Sequence, residues 1–479
     1  MRAVAGLGAA AVLLAGCTLE PHYVRPSPAV PASWPTGPAY PVQQAGPLPA
    51  LSYREVFKDP HLQAVIGQAL ANAQDLRIAM ANVQIAHGEY VAQRAEILPH
   101  IGVSGDFSEV HGGSTAATAG RGRTSRSYSA DLGFSAFELD LFGRLRSLSH
   151  AAQARYFASE AGARAARLTL VGEVAGAYLT LATDRSQLAI AQDTVVSAQR
   201  TVTLTRARLT GGVAPRTDLT QAETLLDQAR SDVAALTTQV AQDRNALDLL
   251  VGAPVPDAEL PGSIENVAGL VGEVPAGLDS RILLRRPDVV EAEYGLKAAN
   301  AQIGAARANF FPTISLTALA GRASPQLSNL FSGRNSTWQF GGGALAPLFE
   351  GGANVGDLAA AKGQRNLALA QYQQAIQRAF REVADALARR GTMDDQMAAQ
   401  TDLERAAAQA YELSQARYRE GIDPYLNTLI TQRTLYDARR SLAETRLARA
   451  QNLVALYQAL GGDPLIGAAP QARIEAAKD

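Results

Sequence analysis

The residues that could do chemistry in this 479-residue chain are few and scattered. A metal site or an acid–base pair would need histidines or carboxylates at ligand spacing, such as two histidines one helical turn apart. The six histidines show no such spacing, and no nucleophile elbow or phosphate-binding loop occurs. The adjacent carboxylates Asp394 and Asp395 are typical of a solvated helix face. The sequence therefore predicts no enzyme activity, no metal and no cofactor.

Composition argues against nucleic acid as a partner and favours helices. Charged residues make up 19% of the chain and the formal net charge is −1, so there is no basic excess to attract phosphate. Alanine dominates whole stretches, such as 298–301 and 406–408. Alanine loses the least free energy on entering a helix, so these stretches predict helical structure.

The single cysteine, Cys17, closes an N-terminal stretch that is typical of a secretory signal, residues 1–16. The apolar run Ala3–Leu14 is too short to span a bilayer, which takes about 20 residues. Leu14-Ala15-Gly16-Cys17 resembles the bacterial lipobox, in which the cysteine becomes the lipidated first residue of the mature protein. Thr18 follows, rather than the aspartate typical of inner-membrane retention, which favours the outer membrane. Cleavage by the ordinary signal peptidase, with Cys17 incidental, is the alternative.

Most of the chain repeats one unit. Residues 86–101 align with 299–314, which brings Arg94 onto Arg307 and Pro99 onto Pro312. Further along, Gly212 aligns with Gly421 and Pro215 with Pro424. So many matches in order indicate a duplication. We divide the chain into a lipid-anchored extended segment (17–59), a first repeat (60–252), an equatorial linker rich in proline and glycine (253–286), a second repeat (287–465) and a C-terminal tail (466–479).

Each repeat is predicted to hold long helices packed in coiled-coil fashion. Apolar residues recur at every seventh position from Val174 to Leu209, and the partner positions are small, with Asp184 the exception. A helix from about 145 to 210 would be roughly 100 Å long. Its neighbours are predicted at about 216–251 and 287–311, and the other helices at about 60–98, 353–419 and 424–460. From this pattern alone, a plain soluble coiled coil remains an alternative interpretation.

Between the helices the apolar period changes to two. Val103 and Phe107 alternate with Ser104 and Asp106, and three further segments alternate in the same way. Strands are predicted at about 99–110, 126–141, 313–322 and 336–348. Strands of about ten residues with one apolar and one polar face match those of outer-membrane barrels. The edge of a soluble sandwich is the alternative.

Four strands cannot close a barrel in a membrane. Each unpaired backbone group at an open edge in lipid costs several kcal/mol. Two copies would give eight strands, whose interior is filled by side chains, whereas three would give twelve strands around a lumen. If the protein is a duct, it needs a lumen, and we therefore predict a homotrimer.

Several segments resemble the TolC-like outer membrane factors. They are residues 19–26 (LEPHYVRP), 59–62 (DPHL), 286–289 (RPDV), 305–312 (AARANFFP) and 421–426 (GIDPYL). The resemblance covers about 18–465, and it is closest to the NodT or OprM-like lipoproteins of RND-type multidrug efflux systems. It implies a mainly helical trimer with a twelve-stranded membrane barrel, a long α-helical periplasmic tunnel and an equatorial collar.

The same resemblance implies a passive exit duct in the outer membrane, lipid-anchored and extending into the periplasm. Its expected partners are outer-membrane lipid, a periplasmic adaptor protein and an inner-membrane RND transporter, which would deliver drugs or other small molecules. A duct for type I protein secretion and a purely structural envelope tether are the alternatives. The sequence does not identify the substrate, because a tunnel passes what its pump delivers.

The resemblance also places a gate at the periplasmic helix tips, where Gly212 and Pro215 turn the chain in one repeat and Gly421 and Pro424 in the other. A stripe of the last helix, spaced i, i+3, i+4 and i+7, is predicted to face the bore, and its neighbouring stripe to pack. The first stripe is Asn427, Ile430, Thr431 and Thr434, and the second is Leu426, Leu429 and Tyr436.

The gate is therefore assigned to Asp218, Tyr425, Asn427, Ile430 and Thr434. Relatives often carry an aspartate where this chain has Ile430. Three copies of an isoleucine could close the bore by dewetting, whereas an acidic ring would hold a cation. Asp218 could still supply charge from the other tip. The alternative is that both stripes only pack.

Overall fold

A computed structural model describes residues 18–40, 52–111, 124–270 and 280–461. Within these ranges the chain is mainly helical, as predicted. The helices are α1 (Tyr53–Val56), α2 (Pro60–Asn72), α3 (Gln74–Ala95), α4 (Arg144–Thr210), α5 (Arg216–Val251), α6 (Ile264–Val267), α7 (Pro287–Ala308), α8 (Ala353–Arg419) and α9 (Tyr425–Ala459). The strands are β1 (Gly102–His111), β2 (Thr124–Glu138), β3 (Thr313–Ser324) and β4 (Ser336–Leu345). Cys17, the predicted signal stretch and the predicted C-terminal tail lie outside the described residues.

The duplication seen in the sequence recurs in the lengths of the elements. Helices α4 and α8 each have 67 residues, and α3 and α7 each have 22. Helices α5 and α9, which follow the two longest helices, have 36 and 35 residues. Each half of the chain thus contains a strand hairpin between a shorter and a very long helix. None of the helices in the described ranges is long and apolar enough to cross a membrane.

The helix predicted at about 60–98 is two helices. Helix α2 ends at Asn72, and Ala73 has an extended ψ of 130° before α3 begins. The break lies against the C-terminal end of α5, where a β-carbon on Gly252 would be 2.8 Å from the carbonyl oxygen of Asn72. The prediction of one helix was wrong because the break depends on a close backbone contact between segments distant in sequence, and the spacing of apolar residues gives no sign of such a contact.

Helices α3 and α7 also end earlier than predicted, and both end in the same way. Helix α7 was expected to reach residue 311, but it ends at Ala308, and the Phe311 N–H donates to the Ala308 carbonyl (3.0 Å). The residue before a proline avoids the α-helical conformation, and Pro312 follows directly. In the first repeat the Leu98 N–H donates to the Ala95 carbonyl (2.9 Å), one residue before the matching proline.

The four strands form one antiparallel sheet in the order β1-β2-β3-β4. Val103 lies opposite Leu132, Leu132 opposite Ala320, and Ala320 opposite Trp338. The alternating apolar residues of all four strands therefore share one face of the sheet. Within one chain this face is open, since Val103 is 81% and Trp338 82% exposed.

A bulge in β2 corrects one detail of the predicted alternation. Phe134 pairs with Ala318 and Phe137 with Leu316, so three residues of β2 span two of β3. The extra residue displaces Ala136, which has a left-handed φ of 54°, from the apolar positions and brings Phe137 onto them. Sequence alternation alone cannot show a bulge, because the apolar residue simply moves one place along the chain.

The chain divides into two compact units, each with its own packing. One contains the sheet and comprises residues 18–27, 82–111, 124–160 and 291–372 in the described ranges; the other comprises 28–40, 52–81, 161–270, 280–290 and 373–461. In the second unit, the Tyr178 hydroxyl donates to Asp59 (3.1 Å). Arg286, from the Arg-Pro-Asp segment, donates to the Ala459 carbonyl (2.9 Å) and to Glu382 (2.8 Å). The linker thus ends in a buried arginine that ties it to α8 and α9.

Candidate functional site

The first predicted helix tip is a glycine-closed helix end. Gly212 has a left-handed φ of 75°, a conformation that glycine adopts without steric cost. The Val213 N–H donates to the Arg208 carbonyl and the Gly212 N–H to the Leu209 carbonyl, both at 2.9 Å. This pair of hydrogen bonds satisfies carbonyls that would otherwise lack a partner at the end of α4. Pro215 then stands directly before α5.

The second tip repeats this backbone. Gly421 also has a φ of 75°. The Ile422 N–H donates to the Arg417 carbonyl (2.9 Å) and the Gly421 N–H to the Tyr418 carbonyl (3.1 Å). Pro424 stands directly before α9, so the helix begins one residue later than predicted. Both turns therefore lie where the glycine–proline spacing places them.

Two tyrosines fill the space between the helices of the tips. The ring centroids of Tyr418 and Tyr425 are 5.4 Å apart. The Tyr418 hydroxyl lies 3.2 Å from the Thr205 hydroxyl, and the Arg208 guanidinium lies over its ring, 4.7 Å from the centroid. The other buried members of this tyrosine cluster are Ala198, Val202, Ala222, Leu225, Leu226 and Leu429. The cluster joins α4, α5, α8 and α9 into one core.

Tyr425, which the sequence analysis assigned to the gate, lies entirely within this core. Its side chain is 0% exposed in the chain, and its hydroxyl has no hydrogen-bond partner among the described residues. Burial, and then the neighbouring Tyr418, raise the pKa of Tyr425 above its ordinary value. The assignment of Tyr425 to the lining of a bore is therefore corrected, because its side chain is buried within the chain and its contacts there stabilise the tip.

The predicted bore-facing stripe of α9 is exposed, with one exception. Asn427, Ile430 and Thr434 are exposed, and the Ile430 side chain is 54% accessible. Thr431 is half-buried, and its hydroxyl donates to the Ser414 hydroxyl of α8 (3.1 Å). Three of the four stripe residues thus offer a continuous surface on one side of α9.

The predicted packing stripe is only partly buried. Leu429 and Tyr436 are buried, and the Tyr436 hydroxyl donates to Asp232 of α5 (2.7 Å). Leu426 is 48% exposed, so its assignment to the packing stripe was wrong. Leu426 stands in the first turn of α9, where the tyrosine cluster already covers the inner side of the helix.

Asp218, the charged residue assigned to the gate, lies in the first turn of α5 and is half-buried. Burial raises the pKa of its carboxyl, whereas the charge of Arg208 acts to lower it. A negative charge in the first turn of a helix is favourable because the N-terminus carries a partial positive charge. Asp218 and Arg208 together place both signs of charge at the first tip.

A second candidate site lies where the chain leaves its N-terminal segment. Residues 18–27 follow one side of α7. The Leu19 carbonyl accepts a hydrogen bond from Arg307 (3.1 Å), and the Pro21 carbonyl accepts one from Asn300 (2.7 Å). Between these contacts the segment passes so close to Gly304 that a β-carbon there would lie 2.8 Å from its backbone.

The same segment is held further along by a buried carboxylate. Glu293 is 3% exposed and pairs with Arg25 (2.7 Å) and with Lys297 (3.3 Å). The Tyr23 hydroxyl donates to it as well (3.2 Å). Burial acts to raise the pKa of Glu293, but the hydrogen bond from Arg25 and the charge of Lys297 hold it below its ordinary value.

Sequence reasoning missed this attachment, although a signal for it exists. The residues of α7 that hold the segment recur at spacings of four and three along one face of the helix: Glu293, Lys297, Asn300, Gly304 and Arg307. A polar stripe that includes one glycine is the pattern expected where a backbone segment lies across a helix. The attachment brings Thr18 toward the end of α7, shortly before β3 begins at Thr313.

Comparison with known proteins gives consistent matches along the chain. A family model described as outer membrane efflux protein matches residues 65–253 and 278–462, once in each repeat. The chain is 42% identical to a probable efflux pump outer membrane protein, TtgC, of Pseudomonas putida, over 96% of each chain. It is 37% identical to the cation efflux system protein CusC of Escherichia coli, over 94% of this chain and 97% of that protein.

A solved structure supports the same assignment. The open state of the MtrE outer membrane channel of Neisseria gonorrhoeae superposes with a TM-score of 0.85 at 34% identity. The match covers 93% of this chain and 98% of that chain. The likeness thus extends over nearly all of both proteins rather than over a single domain.

Proposed function

This chain belongs to the outer membrane efflux protein family, and we propose that it is the outer-membrane channel of a tripartite efflux system. It conducts small molecules passively from an inner-membrane pump and its adaptor across the outer membrane, and it extends into the periplasm. The observation that carries this conclusion is the 42% identity to an efflux pump outer membrane protein over 96% of both chains. The relatives reported above carry efflux or channel names, so we do not retain the protein-secretion duct.

Three copies of the chain are proposed to close one twelve-stranded barrel. In the described residues β1 pairs with β2 alone and β4 with β3 alone, so one chain leaves both edges of its sheet unpaired. In lipid each unpaired backbone group costs several kcal/mol, which strongly favours pairing of β4 with β1 of a neighbouring copy. The open apolar face, with Val103, Phe340 and Trp338 exposed, suits contact with lipid.

The lipid anchor is proposed at Cys17. The attachment of residues 18–27 to α7 supports this, because the segment ends near the point where helix gives way to strand. Phe310 and Phe311 stand at the same place and are 42% and 40% exposed, as aromatic side chains at a membrane interface often are. A lipid on residue 17 would therefore enter the membrane close to the base of the sheet. Mass spectrometry of the mature N-terminus should find an acylated cysteine, whereas an unmodified peptide that begins elsewhere would contradict the anchor.

The helix tips are proposed to form the periplasmic gate. The exposed residues Asn427, Ile430 and Thr434 line the closed bore in this proposal, and Tyr425 keeps the tip in place from the tyrosine cluster. Because Ile430 is apolar, closure depends on dewetting rather than on a bound cation. Choice of substrate is assigned to the pump, in line with relatives whose names mention either toluene or cations.

Complementation combined with conductance tests the proposal. The chain is expressed, together with an adaptor and an RND transporter, in a strain that lacks its own efflux channel, and drug accumulation is measured. We expect accumulation to fall only when all three proteins are present. The purified chain should also form pores in planar bilayers, and native mass spectrometry should give three copies. A structural tether would restore neither export nor conductance, and a stable folded monomer in detergent would contradict the closed barrel.

A further inference from the structure

The two repeats meet within one chain at the base of the sheet, where β2 ends and β3 begins. The ring of Phe142, just after β2, stacks on that of Phe311, just before β3, with ring centroids 4.7 Å apart. The Leu139 N–H donates to the Ile314 carbonyl (2.8 Å), so the pairing of the two strands continues beyond the end of β2. Leu141, Phe142 and Ile314 are half-buried there. We call this set of contacts the base junction.

The start of the first hairpin carries one half of a second base junction. The internal alignment places Leu98 opposite Phe311 and Ile101 opposite Ile314. Ile314, which pairs with the end of β2, is half-buried, whereas Ile101 is 70% exposed. Leu98 is 66% exposed. The edge of the sheet at β1 therefore has uncovered apolar residues at its base.

The end of the second hairpin carries the other half. The pair Leu141-Phe142, which follows β2, recurs as Leu348-Phe349 after β4. Leu348 is 96% and Phe349 90% exposed, whereas their counterparts in the first repeat are half-buried. Large apolar side chains that are grouped and exposed to this extent indicate contact with a partner or with lipid.

A second copy of the chain is the occupant that fits both open halves. Among the described residues β1 pairs with β2 alone and β4 with β3 alone. The exposed residues continue these two unpaired edges, since Leu98 lies just before β1 and Leu348-Phe349 just after β4. Head-to-tail contacts between identical copies close into a ring when the end of one copy fits the start of the next. Within the chain, the end of one hairpin already fits the start of the other in this way.

We propose, building on the closed barrel proposed above, that Phe349 of one copy packs on Leu98 of the next copy, as Phe142 packs on Phe311 within the chain. The Ile101 carbonyl then accepts a hydrogen bond from the backbone just after β4 of the neighbouring copy. Junctions within a chain and junctions between copies alternate around the base of the barrel. The junction between copies has a ring against a leucine side chain instead of two stacked rings.

Cross-linking of the full-length protein in membranes tests this contact. Leu98→Cys and Phe349→Cys are combined in one chain and treated with a short bismaleimide, and the products are separated under denaturing conditions. We expect covalent dimers and trimers from the pair and only monomers from each single variant, which also controls for the natural Cys17. The pair Phe142→Cys and Phe311→Cys calibrates the reach of the reagent, because it should be bridged within one chain.

A charge exchange tests the same contact without a reagent. Leu98→Lys and Phe349→Glu should each lower the temperature at which the oligomer separates in detergent, and the double variant should recover most of the loss, because the two new charges attract each other. Phe331→Glu is the matched control. It replaces a 74% exposed ring in the loop between β3 and β4, at the opposite end of the sheet, and should not rescue Leu98→Lys.

The outcomes separate this contact from the closed barrel itself. If native mass spectrometry gives three copies and the calibration pair is bridged, but Leu98→Cys with Phe349→Cys yields only monomers, the contact is wrong and these side chains face lipid. If the calibration pair is not bridged, a charge double variant that is no more stable than the single variants overturns the contact. A parent protein without three copies would instead contradict the barrel, and this contact with it.

Discussion

At the first helix tip the residue after the proline is Arg216, which is exposed, whereas the equivalent residue of the second tip is Tyr425, which is fully buried. The preceding helices differ in the same way. The first ends near Leu209, which is half-buried, and the second ends near Tyr418, which is 3% exposed. The backbones of the two turns nevertheless share their glycine conformation and their hydrogen bonds.

This difference distinguishes the residues that shape the backbone turn of a tip from the residues that pack the tips together. Glycine and proline set the backbone of a tip, and they do so equally in both repeats. The buried aromatic side chains of the tyrosine cluster hold the helices of the two tips together, and only the second repeat supplies them. In the proposed gate, the closed position of the tips should therefore depend on the second repeat's side chains far more than on the first's.

Tyr425→Ala should have the largest effect. Removing a buried aromatic side chain typically costs about 3–5 kcal/mol of unfolding free energy, and here it would empty the centre of the tyrosine cluster. We expect a lower thermal midpoint in detergent and a raised resting conductance in planar bilayers. Tyr425→Phe should resemble the parent, because the hydroxyl has no partner in the described residues.

Arg216→Ala is the matched control for this prediction, since it alters the equivalent position of the first tip. It should change neither quantity appreciably, because Arg216 is exposed. Equal effects of Arg216→Ala and Tyr425→Ala would remove the proposed asymmetry between the tips.

Ile430→Ala should raise the resting conductance without a large loss of stability, because the side chain is 54% exposed. Ile430→Asp should in addition make the conductance sensitive to divalent cations, since three carboxylates in a ring can hold one. Leu413→Ala, which removes a 66% exposed apolar side chain from α8, is the control. If both Ile430→Ala and Tyr425→Ala conduct like the parent, the constriction lies elsewhere.

Gly212→Ala and Gly421→Ala should have smaller effects that are equal to each other. A residue with a β-carbon in the left-handed conformation costs roughly 1–2 kcal/mol, and both glycines have a φ of 75°. Thermal unfolding of the two variants measures this. Gly363→Ala, on an exposed turn of α8, should instead stabilise by about 0.5–1 kcal/mol. A clear difference between the two tip variants would show that the turns are not equivalent.

The sequence predicted the features that depend on local patterns. The extents of α4 and α5 followed from apolar spacing, the turns from glycine and proline, and the shared face of the sheet from alternation at Val103, Leu132 and Trp338. The duplication strengthened each of these predictions, because a pattern seen twice is rarely accidental.

The features that escaped prediction depend on contacts between distant segments. Tyr425 follows a proline in a turn, and only the packing of four helices shows that its ring is buried. The attachment of residues 18–27 required knowing which face of α7 remains free to accept them.

Asp423→Asn should have the smallest effect of these substitutions. Asp423 pairs with Arg417 at 2.7 Å across the second turn, whereas the equivalent residue of the first turn is Ala214, which has no charge. The hydrogen bond from Arg417 holds the pKa of Asp423 below its ordinary value of 3.8, so the pair's contribution is present above that pH and is lost as the pH falls through the lowered pKa. Exposed ion pairs are screened by water, so at pH 7 the thermal midpoint and the conductance should both match the parent. The first turn already closes with the same backbone and no such pair. A loss comparable to that of Tyr425→Ala would therefore mean that charge, rather than the tyrosine cluster, distinguishes the two tips.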